Sequence, residues 1–210
     1  MPAPITEEQH RLDREALLDA AERLFYERGI QAVGMDEVRA ASGLPLKRIY
    51  RFFAAKEDLV VAVLKRRDRR WRGDLAAHVE RVPDPRERVL AVFDWLAEWF
   101  AQPGFRGCAW ANAYGELGSS SEAVLAEVRS HKQAFHDQIA AWVRAAGVAV
   151  AEPVFLLAEG AIVTAGISGD PAPARHARAA VVTLLATPSS GTADALTELT
   201  ASTSMDASLN

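Results

Sequence analysis

A basic, aromatic stretch runs from Leu46 to Ala54, directly after the break Ser42-Gly43-Leu44-Pro45. A short helix-like run, Met35 to Ala41, precedes the break, and Lys56-Glu57-Asp58-Leu59 opens a longer helix after it. Two short helices joined by a glycine turn, with cations on the second, predict a helix-turn-helix. At 3.6 residues per turn Leu46, Ile49 and Phe53 share one side. Lys47, Arg48 and Arg51 share the other, with Tyr50 on a flank. The apolar side can pack on neighbouring helices, which leaves the cationic side for a groove and its phosphates. A merely solvated helix also carries such cations, and Tyr50 read alone is equally a core aromatic with a wet tip, so the surroundings must decide.

Those surroundings are locally consistent. Thr6-Glu7-Glu8-Gln9 fits a capping box opening an N-terminal helix. Gly29 suits a left-handed helix end, and Gly43 a turn that needs positive φ. Residues 1–72 carry 15 Lys and Arg against 12 Asp and Glu, in a chain whose overall charge is −4. A local basic region in an acidic protein suits a confined polyanion site. The run Lys65 to Arg70 lies further along the fourth helix, whose buried side is marked by Leu59, Val63, Trp71 and Leu75. It is expected to form a solvated or interdomain face rather than to read bases.

From Ala16 to Leu59 the chain resembles the N-terminal domain of the TetR family of transcriptional regulators. The resemblance rests on Leu17-Leu18, Ala20-Ala21, Leu24-Phe25 and Gly29 in the first helix. It continues through Met35, Val38 and Gly43, then Ile49-Tyr50 and Phe53, then Lys56-Glu57 and Leu59. With the cationic face of the second short helix, DNA contacts are expected from Lys47, Arg48, Tyr50, Arg51 and Lys56, with Arg39 as an extra one. The sequence departs from the family pattern at Gly34, Pro45 and Ala55, where a capping or phosphate-binding hydroxyl or amide is usual, and at Arg39 and Arg48, where small residues are usual. The extra arginines favour guanine in the operator, since arginine pairs bidentately with that base.

Beyond residue 80 every apolar pattern is helical. Asp84-Pro85 opens a helix carrying Val89, Leu90, Phe93, Leu96 and Phe100, which Gln102-Pro103-Gly104 ends. A short helix is expected over 107–117, and a long one capped by Ser121 and ended at Gly147. Pro153 opens another through Ala165, and Asp170-Pro171 starts the last, through Leu185. The expected fold is therefore all-α. An N-terminal three-helix helix-turn-helix domain (1–55) precedes a helical ligand-binding and dimerisation domain (56–187), and a disordered tail follows (188–210). The family resemblance implies that the last two helices form a four-helix dimer interface, and apolar positions such as Phe155, Leu156, Ile162, Val163, Val181 and Leu184 exceed what one core needs. A dimer would set two recognition helices about one DNA turn apart on a near-palindrome.

The segment Phe105 to Glu116 resembles a family pattern on the helix that lines the pocket. Cys108, Trp110, Asn112, Tyr114 and Glu116 are thus expected in or near a cavity, with Trp95, Trp99, His131, Phe135 and Trp142. An apolar pocket with a few polar groups suits a small inducer, while each aromatic is equally at home as ordinary core. His131 faces inward as a satisfied core histidine or a ligand contact. Cys108 is either a small buried hydrophobe or a sensor of oxidants or electrophiles whose thiolate Arg106 favours. His131, His136 and Glu116 have poor spacing for a metal, and neither metal nor cofactor is expected.

No nucleophile–base constellation, zinc-ligand spacing or phosphate loop stands out, so a non-enzyme is expected. A single cysteine suits a reducing cytoplasm. The N-terminus lacks a secretory pattern, and no apolar run is expected to span a membrane. The leading expectation is a homodimeric regulator that binds double-stranded DNA, a repressor released by a small, largely apolar molecule. The alternatives are a helical interaction module that has lost DNA binding and a Cys108-based sensor.

Overall fold

A computed structural model describes residues 6–186. The tail reading for 188–210 lies outside them. Among the described residues the chain forms nine α-helices and no strand: α1 (Glu7–Arg28), α2 (Met35–Ser42), α3 (Leu46–Phe52), α4 (Lys56–Val79), α5 (Pro85–Phe100), α6 (Ala109–Leu117), α7 (Glu122–Ala145), α8 (Ala151–Ser168) and α9 (Ala172–Ala186). The all-α fold with an N-terminal helix-turn-helix is as the sequence predicts.

Helix starts follow side-chain chemistry. Thr6 caps α1 by accepting from the Gln9 amide at 3.1 Å. The box is only half formed, because the Gln9 side chain turns to Asp13 instead. Asp84 caps α5 by accepting from the Arg86 and Glu87 amides, with Pro85 in the first turn. Ser121 caps α7 through the Val124 amide. The sequence puts the start of α8 at Pro153, but the helix begins two residues earlier; a first-turn proline lacks only an N–H that has no helical partner anyway. α9 begins at Ala172 because Asp170 acts before it as a cap, accepting from the Ala172 amide at 2.8 Å.

Around the helix-turn-helix, at two of the three helix starts without a side-chain cap, a carboxylate from the first turn holds the amide of the residue before the helix. Glu37 accepts from the Gly34 amide at 2.9 Å, and Asp58 from the Ala55 amide at 3.0 Å. Pro45 stands just before α3 rather than inside it and offers no cap. Gly43 has φ 69°, the left-handed turn expected of it. Gly29 also has positive φ, 92°, but its ψ of 151° takes it out of the left-handed helical region.

α4 is the helix through which the two halves meet. It packs on α1 at one side and on α5 and α7 at the other. α5 and α7 continue to α8, α9 pairs with α5 and α8, and α6 lies on α7. α8 departs from one expectation: its 18 residues reach membrane-spanning length with a mean hydropathy of 1.3. Its outward face keeps Leu156, Val163 and Ile167 exposed, and Val182 of α9 is exposed beside them in the same helical pair.

An ionic cluster fastens α1 to α4. Glu22, buried on α1, receives Arg66 at 2.8 Å, Arg67 at 3.0 Å and Arg70 at 2.5 Å. Arg66 also reaches Glu15 at 3.0 Å and Asp19 at 2.8 Å. The basic run is thus an interdomain face at three positions, while Lys65 and Arg69 remain exposed. Removing one partner of a buried ion cluster strands the others, at a typical cost of about 3–5 kcal/mol. Glu22→Ala should therefore lower the melting temperature by roughly 10 °C, taking about 2–4 °C per kcal/mol for a chain of this size. A thermal melt shifted by less than about 2 °C would show that the three arginines rehydrate without cost.

Candidate DNA-reading helix and aromatic core

The apolar side of α3 is buried as its spacing requires: Ile49 is fully enclosed, Phe53 is buried and Leu46 partly so. The opposite side is not uniformly free. Lys47, Tyr50 and Arg51 are exposed, Tyr50 at 47%. Arg39 of α2 is also exposed, 3.3 Å from Asp36. Arg48, expected on the free cationic side, is instead held by Asp13. Its Nε donates to Oδ2 at 2.8 Å, its Nη2 lies at the same distance, and its guanidinium sits over Phe52. Lys56 is likewise occupied: its ammonium donates to the carbonyls of Ile30 (2.6 Å) and Val33 (2.5 Å). Burial, the largest effect on it, lowers its pKa against the pull of Glu116 and Glu37. In this structure Lys56 ties α4 to the loop between α1 and α2.

α6 crosses between the halves. At its start, Tyr26 of α1 donates to the Gly107 carbonyl and accepts from the Arg106 amide, both at 2.8 Å. At its end, Glu116 accepts from the amides of Ile30 (2.9 Å) and Gln31 (2.7 Å). Glu116 therefore faces the DNA-binding half rather than the interior of the bundle. Tyr114 is 57% exposed, and Asn112 turns to the Arg106 carbonyl at 3.1 Å. Of the five α6-segment candidates, only Cys108 and Trp110 are buried. Cys108 caps α6, accepting from the Ala111 amide, and its sulfur lies 3.4 Å from the Lys132 ammonium. Its cationic neighbour is thus Lys132, itself paired with Glu159, and not the Arg106 expected from the sequence.

The remaining candidates converge around a residue that the sequence marks only as buried. Trp71 of α4 has the rings of Trp95, Trp99, Trp110, His131 and Phe135 around it, with centroids 5.0–6.3 Å away. Trp110 and His131 stack face to face at 3.4 Å. Trp142 is buried on α7. Among the described residues neither the Trp71 nor the Trp110 indole N–H has a hydrogen-bond partner. His131 does: its Nδ1 lies 2.7 Å from Asp68 of α4, which Arg72 also holds. Among the described residues no three His, Cys, Asp or Glu side chains gather as a metal site.

Open space lies at the junction between the halves. A narrow crevice of about 30 Å³ is lined by Phe25, Tyr26, Val60, Leu64, Asn112 and Glu116 among others. A wider cleft of about 680 Å³ runs along the end of α1 and the α5–α6 loop, past Arg28, Phe105 and Arg106. The site residues that the sequence does not nominate are those with distant partners: Asp13, Tyr26, Asp68, Lys132 and Glu159. Trp71, by contrast, is marked in the sequence by its place on the buried side of α4.

The Asp68–His131 pair makes stability depend on pH. Burial, the largest effect, holds His131 below its ordinary value of 6.5, against the raising effect of Asp68. Burial works to raise Asp68, but its hydrogen bonds from His131 and Arg72 outweigh this and hold it well below the usual carboxylate range. Both groups bind fewer protons folded than unfolded, so acidification destabilises: through His131 below about 6.5 and through Asp68 below about 3.8. Urea unfolding at about pH 7.5 and about pH 5.5 should show the wild type losing more stability on acidification than His131→Asn. Equal losses would mean that His131 binds protons alike in the folded and unfolded chains.

Known proteins share this architecture. The profile of bacterial regulatory proteins of the tetR family matches residues 17–63. The crystal structure of a TetR-family transcriptional regulator from Streptomyces coelicolor superposes with a TM-score of 0.77 at 30% identity, covering 83% of this chain and 95% of that one. An uncharacterized HTH-type transcriptional regulator of Mycobacterium tuberculosis is 37% identical over 79 residues, 38% of this chain and 39% of that protein. The HTH-type transcriptional regulator BetI of Rhizobium meliloti is 32% identical over 111 residues, 52% of this chain and 54% of that protein. The chain thus spans about half or less of these two relatives' length. The helix-turn-helix, the helical second half and the likeness over nearly the whole Streptomyces protein place this chain in the TetR family of transcriptional regulators.

Proposed function

We propose that this regulator is a cytoplasmic homodimeric repressor that leaves a palindromic operator when a small, largely apolar molecule binds its helical half. The observation that carries the reading is the α6 bridge. One nine-residue helix has Trp110 in the aromatic core and Glu116 on the amides of Ile30 and Gln31, beside the helix-turn-helix. A ligand that spreads the aromatic cluster moves α6 and, through Glu116 and Tyr26, the loop and helix that carry α2 and α3. DNA affinity then falls by the ligand's differential affinity for the two arrangements. Two buried indole N–H groups without partners favour a flat aromatic ligand bearing a hydrogen-bond acceptor, since an unmet buried donor costs about 1–3 kcal/mol.

The exposed apolar face of α8 and α9 supports the dimer. Leu156, Val163, Ile167 and Val182 would be buried against the same helices of a second copy, as a two-fold interface requires. Lys47, Tyr50 and Arg51 then form the reading face of each subunit, with Arg39 at its edge. The support for an interaction module without DNA binding was the missing caps at Pro45 and Ala55; Asp58 holds the Ala55 amide, and α3 forms behind Pro45 without a side-chain cap.

DNA selection from fragments of the source genome, run with the purified protein at two salt concentrations, tests the reading. The wild type should enrich a near-palindrome, with affinity falling steeply as salt rises. Arg51→Ala should weaken operator binding about 10- to 100-fold, the range of one lost bidentate base contact. A folded protein that enriches no sequence at low salt would overturn the repressor reading, and a monomer in sedimentation would overturn the palindrome.

A further inference from the structure

The first two turns of α1 do not pass α3 idly. The His10 ring lies 4.6 Å from the Phe52 ring, and the Arg14 guanidinium 5.5 Å over Phe53. Between them Asp13 accepts from Arg48 Nε at 2.8 Å, and Nη2 lies as close to the same oxygen without a hydrogen bond of its own among the described residues. The two side chains are only 16% and 11% exposed. Arg48 is the third residue of α3, in the part of a recognition helix that meets base edges. An arginine left free there would offer its planar edge to a guanine or a phosphate. Here the edge is already taken, and the stem is fixed on Phe52.

We infer that Asp13 is a specificity-determining residue: it withholds Arg48 from DNA and leaves base reading to Lys47, Tyr50 and Arg51. The inference rests on the DNA-binding reading of α3. Charge supports it. An unpaired Asp13 beside the phosphates would repel them, and an unpaired Arg48 would bind any phosphate within reach without regard to sequence. Paired, the two are neutral, and the extended α1 braces a helix that has no side-chain N-cap of its own. The arginine that the sequence offers as a guanine reader is thus engaged within the fold.

The test compares wild type, Asp13→Asn and the double variant Asp13→Asn/Arg48→Met on selected operator and on random duplex, across a salt series. Asp13→Asn should bind random duplex at least fivefold more tightly, lose operator discrimination and steepen its log–log salt slope by about one phosphate per subunit. The double variant, whose methionine keeps the packing on Phe52, should discriminate within twofold of wild type. Thermal melts confirm that each variant is folded at the assay temperature. If Asp13→Asn leaves random-duplex affinity and salt slope unchanged, Arg48 is not being withheld. If the double variant loses tenfold or more of its discrimination at one base pair, Arg48 reads that base, and the inference is overturned. Should Asp13→Asn not fold, the double variant decides alone by the same criterion. A wild type that selects no sequence would sink the repressor reading as well, whereas wild-type selection with either failure above sinks only this inference.

Discussion

The seating of α1 on α4 depends on one buried carboxylate. Glu22 sits on the face of α1 that meets α4 and takes three arginines from successive turns of that helix. Burying a charge is costly unless it is paired and hydrogen-bonded, and here every lone pair has a claimant. An apolar contact at the same place would tolerate sliding by a fraction of a turn. A carboxylate shared among residues 66, 67 and 70 tolerates far less, because each displacement breaks a bond that water cannot easily replace. The cluster thereby sets the register of α1 against α4, and through α2 that of the recognition helix.

α4 carries this register inward. Arg66, Arg67 and Arg70 face α1, while Asp68, Trp71 and Arg72 face the second half within the same two turns. The residue that anchors His131 is adjacent in sequence to one that anchors Glu22. A rotation of α4 that repacked the tryptophan cluster would strain the ionic cluster, and the reverse. α6 makes a second, independent connection through Tyr26 and Glu116. The helical half is thus joined to the helix-turn-helix at two places on different elements.

Much of this was legible in the sequence, and what was not has a common cause. Periodicity named the buried faces of α3 and α4, and the caps at Thr6, Asp84 and Ser121 stand where their side chains predict. Periodicity says which side of a helix a residue occupies, but not what lies opposite. Arg48 is on the side expected and is nevertheless engaged, because its partner lies 35 residues earlier. Lys56 is taken by carbonyls 23 and 26 residues away, and Glu116 by amides 85 and 86 residues away. Asp68 and His131 meet across 63 residues. Long charged side chains choose partners in space, so their roles were the least readable, whereas cap geometry is settled within four residues and was read almost intact.

The charge left over for DNA is then smaller than the sequence suggests. Ten cations lie between residues 47 and 72, yet the fold itself holds Arg48, Lys56, Arg66, Arg67, Arg70 and Arg72. On α3 this leaves Lys47 and Arg51, with the Tyr50 hydroxyl between them. Affinity for the phosphate backbone grows with each free cation whatever the sequence, so cations engaged in the fold lower the non-specific background. One of them, Arg48, also ties the reading helix to α1 through Asp13. A protein with an overall charge of −4 and a sparse cationic face gains little from sliding contacts with arbitrary DNA. In the proposed dimer, affinity would come from placing two such faces at once on matched half-sites, and the spacing between subunits would be the quantity that a ligand changes.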